Sequence, residues 1–169
     1  EKPDEGTIRF EGNDIASFSK TEIMAYHRDV QMIFQNPYTS LNPRQRIGSM
    51  LREVYKVHKT CPANEIDDRI SEMLSVVGLP EDSKNRYPFE FSGGQRQRIC
   101  IARALSVQPR VIVCDEPVSA LDVSIQAQVL HLLKDLQGQF NLAYLFISHD
   151  LSVVYHICDE VIVMYRGKI

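Results

Sequence analysis

The last third of the chain constrains the fold most. Apolar runs at 111–114, 142–147 and 160–165 are separated by stretches of helical periodicity at 124–140 and 150–158. Short apolar strands alternating with amphipathic helices argue for a parallel α/β sheet, because a parallel connection needs a crossover long enough to hold a helix. The first such strand ends abruptly: "VIVCDEP" runs from Val111 through Asp115 and Glu116 into Pro117. A strand ending in acids places carboxylates at the C-terminal edge of the sheet, where open α/β folds bind their ligands.

Upstream, residues 7–11 alternate after "PDEG" at 3–6, which reads as a type I turn. Ser19 and Glu22 have capping-box spacing for a helix to about Arg28, followed by a buried-strand candidate at 30–34. Then "QNPYTSLNPR" carries two Asn–Pro steps that helix crosses poorly. From 47 to 77 the periodicity is helical, with Ile66, Ile70, Met73, Leu74 and Val77 on one stripe and Gly78 as its stop. Ser92 reads as the N-cap of a helix to about Val107. The helical block is an insertion beside the sheet, giving one domain with α/β portions at 1–40 and 108–169 and a helical portion at 41–107.

Net charge is −3, which argues against a general nucleic-acid binder. Arg96, Arg98 and Arg103 cluster at helical spacing and read as one solvated or interface face. Cys61, Cys100, Cys114 and Cys158 show neither a C-x-x-C pair nor metal-ligand spacing. Cys100 and Cys114 lie in apolar runs and read as inert core. That usage suits a reducing compartment. No apolar run approaches the roughly 18 residues of a membrane span.

Three stretches carry chemistry. In "FSGGQRQR", Ser92 at an N-cap followed by Gly93 and Gly94 lets backbone N–H groups approach an anion at a helix N-terminus, although a serine-capped turn alone has the same sequence. Asp115 suits a hard cation such as Mg²⁺ shared with phosphates. Glu116 can orient or deprotonate a water attacking a phosphate. Two strand-end acids can also simply cap a turn. In "FISHD", His149 follows the next strand at the same edge, and that position separates it from His27, His58, His131 and His156, which read as structural or solvated.

In order and spacing these residues resemble the nucleotide-binding domains of ABC transporters across nearly the whole chain. Gln35 resembles the Q-loop glutamine, residues 91–95 (FSGGQ) the signature sequence, and 111–116 the Walker B strand with its catalytic glutamate. Residues 119–122 (SALD) resemble the D-loop, and His149 the switch histidine. "FQNPYTSLNPR" is similar to the oligopeptide, dipeptide and nickel importer group. The resemblance implies a P-loop NTPase-like (RecA-like) parallel sheet with helices on both faces and an inserted helical subdomain. It implies an ATPase acting as a head-to-tail pair, either homo- or heterodimer, bound to transmembrane permease subunits at the cytoplasmic face of the membrane and taking up peptides or a related small solute.

By the same resemblance, Glu116 is the general base and His149 contacts the γ-phosphate. Asp115 holds Mg²⁺, with Gln35 both sensing nucleotide and facing the metal. Ser92, Gly93, Gly94 and Gln95 meet the partner's ATP, with Asp122 beside them. The phosphate loop G-x-x-x-x-G-K-S/T does not occur in these 169 residues. The expectation is therefore a fragment incomplete at both ends, inactive alone, whose 161–165 strand lacks a parallel neighbour while 111–114 keeps two. Other readings are a soluble ABC-type ATPase of DNA repair or chromosome maintenance, and a degenerate, non-hydrolysing partner. Gln35 to Ser92 has no room for the long heptad coils of the first, and Glu116 and His149 would be superfluous in the second.

Overall fold

The computed structural model describes residues 5–169, so the first half of the expected 3–6 turn lies outside the described residues. Strand β1 (Arg9–Phe10) pairs antiparallel with β2 (Asn13–Asp14). Glu11 and Gly12 between them both have positive φ, as a tight two-residue hairpin turn requires. Helix α1 (Lys20–Asp29) opens on the expected capping box: Ser19 Oγ accepts from Glu22 N while Glu22 Oε2 accepts from Ser19 N. It leads directly into β3 (Val30–Ile33) and, past Gln35, into the single turn α2 (Pro37–Ser40), capped by the Asn36 side chain.

The helical stretch from 47 to 77 is two helices rather than one, α3 (Ile47–His58) and α4 (Ile66–Val76). Lys59 adopts a left-handed conformation at the break and Pro62 follows, and a proline cannot donate the bond that continued helix needs. The expected stripe holds. Ile66, Ile70, Met73, Leu74 and Val77 are all buried. Gly78, at φ 71°, closes α4, with Gly78 N donating to Ser75 O and Leu79 N to Leu74 O. Helix α5 (Gly93–Leu105) starts on a second capping box, formed by Ser92 and Gln95.

Three parallel strands follow the order β3-β4-β5, with β4 (Val111–Asp115) in the centre and β5 (Ala143–Ile147) at the edge. Helix α6 (Val123–Phe140) joins β4 to β5, and α7 (Leu151–Ile157) follows β5. Side chains alternate across the sheet. Ile33, Ile112 and Cys114 on one face are fully buried, and on the same face Tyr144 Oη donates to Leu133 O of α6 at 2.8 Å. The other face leaves Met32, Leu145 and Ile147 exposed.

Two expectations need correction. Residues 160–165 form no strand, and Val161 to Tyr165 are all more than half exposed. An apolar run becomes a strand only when a neighbour completes its hydrogen bonds, and β5 pairs with β4 alone. Residues 165–169 (YRGKI) carry a turn, with Arg166 and Gly167 at positive φ between the bridged Tyr165 and Lys168. The three arginines of α5 are not a solvated face. Arg96 is buried, stacks on the Tyr38 ring at 4.0 Å and donates to the Pro88 and Phe89 carbonyls. Arg98 donates to Val77 O and Arg103 to Ser40 O. Each guanidinium satisfies carbonyls at the end of a neighbouring element, so α5 is bound to α2, α4 and the 88–90 turn.

The inert reading of the core thiols agrees with their surroundings. Burial pushes the Cys100 thiol up to about 11 and the Cys114 thiol up to about 12. All four cysteines are free, and Cys61 and Cys158 are only half-buried. A thiol reagent at neutral pH should therefore modify Cys61 and Cys158 in the folded chain and reach Cys100 and Cys114 only on unfolding. Mass mapping of the labelled peptides checks this; early labelling of Cys114 would contradict the core placement.

Candidate active site

The C-terminal edge of the sheet gathers four of the expected residues. Asp115 ends β4 opposite Ile147, and Glu116 follows at φ 45°. A left-handed glutamate is uncommon and carries a conformational cost. Its backbone is held from both sides: Glu116 N donates to Ile147 O at 3.0 Å, while Glu116 O accepts from Ser119 N at 3.2 Å and Ser119 Oγ at 3.1 Å. The turn points the side chain across the sheet edge toward the segments after β3 and β5.

Both carboxylate oxygens of Glu116 are engaged there. Gln35 Nε2 donates to Oε2 at 2.7 Å, and His149 Nδ1 lies 2.9 Å from Oε1. Gln35 Nε2 also approaches Ser119 Oγ at 3.4 Å. The His149 bond holds the Glu116 carboxyl below its ordinary range, with smaller contributions from Ser119 and Gln35. Reciprocally, Glu116 raises His149 above the ordinary imidazole value. The imidazole is mostly exposed and the carboxylate about three-quarters covered. Beside them lies a recess of about 70 Å³, lined by Glu116, Ser119, Gln126, Ser148, His149 and Asp150 together with the apolar Val118 and Val153. That is far too small for a nucleotide but has room for about two waters.

The remaining expected residues sit elsewhere. Ser92 and Gln95 bond to one another at the start of α5 and share no hydrogen bond with the Glu116 cluster among the described residues. Gly93 and Gly94 abut the segment that follows Glu116: a Cβ on Gly93 would lie 3.3 Å from Leu121 Cδ2, and one on Gly94 would overlap Ile125 Cγ2. Asp122 is exposed at the start of α6, where its carbonyl accepts from Ile125 N and Gln126 N. The 119–122 stretch thus joins the two groups, Ser119 touching the carboxylate cluster and Leu121 the glycine turn. Sequence reasoning gave Ser119 no role of its own. The available clue was a hydroxyl three residues after Glu116, a spacing at which serine can donate back to a main-chain carbonyl.

Solved structures share this fold. CbiO1 from Clostridium perfringens, part of the ABC transporter complex cbiONQ, superposes with a TM-score of 0.84 at 29% identity, over 99% of this chain and 65% of that one. An ATP-binding cassette solved as a dimer in a post-hydrolysis state with ADP and Pi superposes with a TM-score of 0.75 at 28% identity, over 92% of this chain and 68% of that one. The fold is therefore that of an ABC ATPase domain, a parallel sheet with helices of the P-loop NTPase-like type.

Sequence comparison narrows the class. The family model described as ABC transporter matches residues 1–119, and the chain belongs to that family. It is 54% identical to the oligopeptide transport ATP-binding protein AppF of Bacillus subtilis, over 99% of this chain and 51% of that protein. It is 52% identical to the di/tripeptide transport ATP-binding protein DppF of Pseudomonas aeruginosa, over 99% and 52% respectively. A glutathione import ATP-binding protein, GsiA of Escherichia coli, is 54% identical over 97% of this chain and 26% of its own length. The chain spans about half the length of the first two relatives.

Proposed function

We propose that the chain supplies the hydrolytic half-site of an ABC importer ATPase that takes up oligopeptides, dipeptides or a similar small peptide. One observation carries the reading: Glu116 stands at the end of the central parallel strand with its carboxylate held between Gln35 and His149, beside a recess of water size. Glu116 is the general base and accepts the proton of the attacking water. His149, carrying its raised proton affinity, faces the γ-phosphate. The peptide-transport names of the relatives supply the substrate class.

Asp115 and the Gln35 amide oxygen would hold Mg²⁺. Among the described residues no group of three or more His, Cys, Asp or Glu can hold a metal unaided. Mg²⁺ bound through one or two protein oxygens, with waters and phosphates completing its shell, needs no such group, so the donors fit. The cation would neutralise charge on the phosphates. The phosphate-cradling motif is not among these 169 residues.

Ser92, Gly93, Gly94 and Gln95 would face ATP held by a second ABC subunit, homo- or heterodimeric, with Asp122 beside the contact. No helix of the described residues is long and apolar enough to cross a membrane, so attachment to the cytoplasmic face would come through permease subunits. Ser92→Arg in the complete subunit tests the pairing. Nucleotide binding by the altered subunit should persist while turnover of the dimer is lost, and a mixed dimer should keep one competent site. Loss of the altered subunit's own ATP binding would overturn the head-to-tail arrangement.

A further inference from the structure

We infer that Ser119 is a positioning residue for hydrolysis, locking the strained backbone of Glu116 and docking the Gln35 amide against its carboxylate. The inference rests on the role of Glu116 as base. A non-glycine residue at φ 45° persists only where its surroundings over-determine it. Ile147 O supplies the restraint on the N–H side of Glu116, and Ser119 supplies both restraints on the carbonyl side, through its own N–H and its hydroxyl. A residue without the hydroxyl would leave one of the two.

The second action runs through Gln35. Its Nε2 bonds Glu116 Oε2 at 2.7 Å and meets Ser119 Oγ at 3.4 Å, so one hydroxyl donates to the Glu116 carbonyl and accepts from the amide that holds the Glu116 carboxylate. Gln35 lies 81 residues from Glu116 and 84 from Ser119, on the segment leaving β3. Nothing local keeps it there. Ser119 itself is exposed and needed for no core contact, so its removal should not unfold the domain. Its effect is on aim. Without the hydroxyl, Glu116 would sample other backbone conformations and Gln35 would drift from the carboxylate.

The test compares Ser119→Ala and Ser119→Thr in the complete subunit. Alanine should lower kcat about tenfold with KM for ATP unchanged, because positioning acts on the transition state and not on nucleotide binding. Threonine keeps the hydroxyl and should restore kcat. Independently of ATP, amide exchange of Glu116 should quicken in the alanine variant and return in the threonine variant, while exchange at Val113 in the preceding strand stays unchanged. Unchanged kcat and unchanged Glu116 exchange in Ser119→Ala would overturn the inference, as would failure of threonine to restore either. If the wild-type subunit hydrolysed no ATP, the assignment of Glu116 as base would fall, and the exchange measurement would still decide whether Ser119 restrains its backbone.

Discussion

Replacing Glu116 by glutamine in the complete subunit should leave ATP binding intact and slow hydrolysis by about 10²–10⁴-fold, the usual cost of removing a positioned base. The substitution is nearly isosteric, and it keeps the left-handed backbone with its bonds to Ile147 O and from Ser119. What changes is the capacity to take a proton. A neutral amide cannot serve as a base, and its NH₂ end must face either Gln35 Nε2 or His149 Nδ1, where the carboxylate accepted from both. His149 should consequently lose its raised proton affinity and titrate nearer the ordinary imidazole value. Single-turnover hydrolysis and nucleotide titration measure the two halves of the claim. An ATP-trapped dimer should accumulate and run earlier on size exclusion. Near-normal turnover would remove Glu116 from the mechanism and leave its hydrogen bonds as a structural cap on the strand.

Where local chemistry decided conformation, the sequence was sufficient. Ser19 with Glu22 and Ser92 with Gln95 each form the reciprocal cap that their spacing suggests. The run from Val111 to Asp115 is the central strand because it is apolar on both faces and lies between two other strands. Glu116, His149 and Gln35 were legible as a candidate site through the strands that precede them and the family pattern that covers all three.

Partners distant in sequence were not legible. Arg96, Arg98 and Arg103 read only as one solvated or interface face because spacing shows which side chains share a helix face, not what that face meets. Their acceptors are carbonyls 7 to 63 residues away, exposed by the ends of other elements. Ser119 was overlooked for a related reason: its link to the carbonyl of Glu116 is local, but its link to Gln35 spans 84 residues. The 160–165 run fails in the opposite sense. Its composition suits a strand, yet strand is a property of a pair, and no pairing strand stands beside it among the described residues. The same dependence governs the exposed face of Met32, Leu145 and Ile147, whose apolar character fits a sheet covered on both sides.

Gly94→Ala separates two reasons for having a glycine at that position. Near the start of a helix, alanine should on propensity alone stabilise the fold by up to about 1 kcal/mol. The structure reverses the sign, since the new Cβ would overlap Ile125 Cγ2. That methyl branches from Cβ on a stiff χ1 and cannot swing away as the end of a long side chain would. Overpacking of this kind costs about 1–3 kcal/mol, so denaturant unfolding should show a net loss of stability. The strain would push α5 and α6 apart where Leu121 and Asp122 enter α6, and misplacement of about 1 Å at a reacting site can cost about 10²-fold in turnover. Ile125→Ala added to Gly94→Ala removes the opposing methyl, and although the half-buried Ile125 side chain is itself packed on the core, the double variant should lose about 0.5–3 kcal/mol less than the two single losses summed. Turnover then discriminates. If it recovers in the double variant, Gly94 is there to let the helices close. If it does not, the glycine is needed where its backbone approaches the phosphate of the partner subunit's ATP. A single Gly94→Ala variant more stable than the parent would show that the helices do not meet as closely as the structure has them, and both readings would fail together.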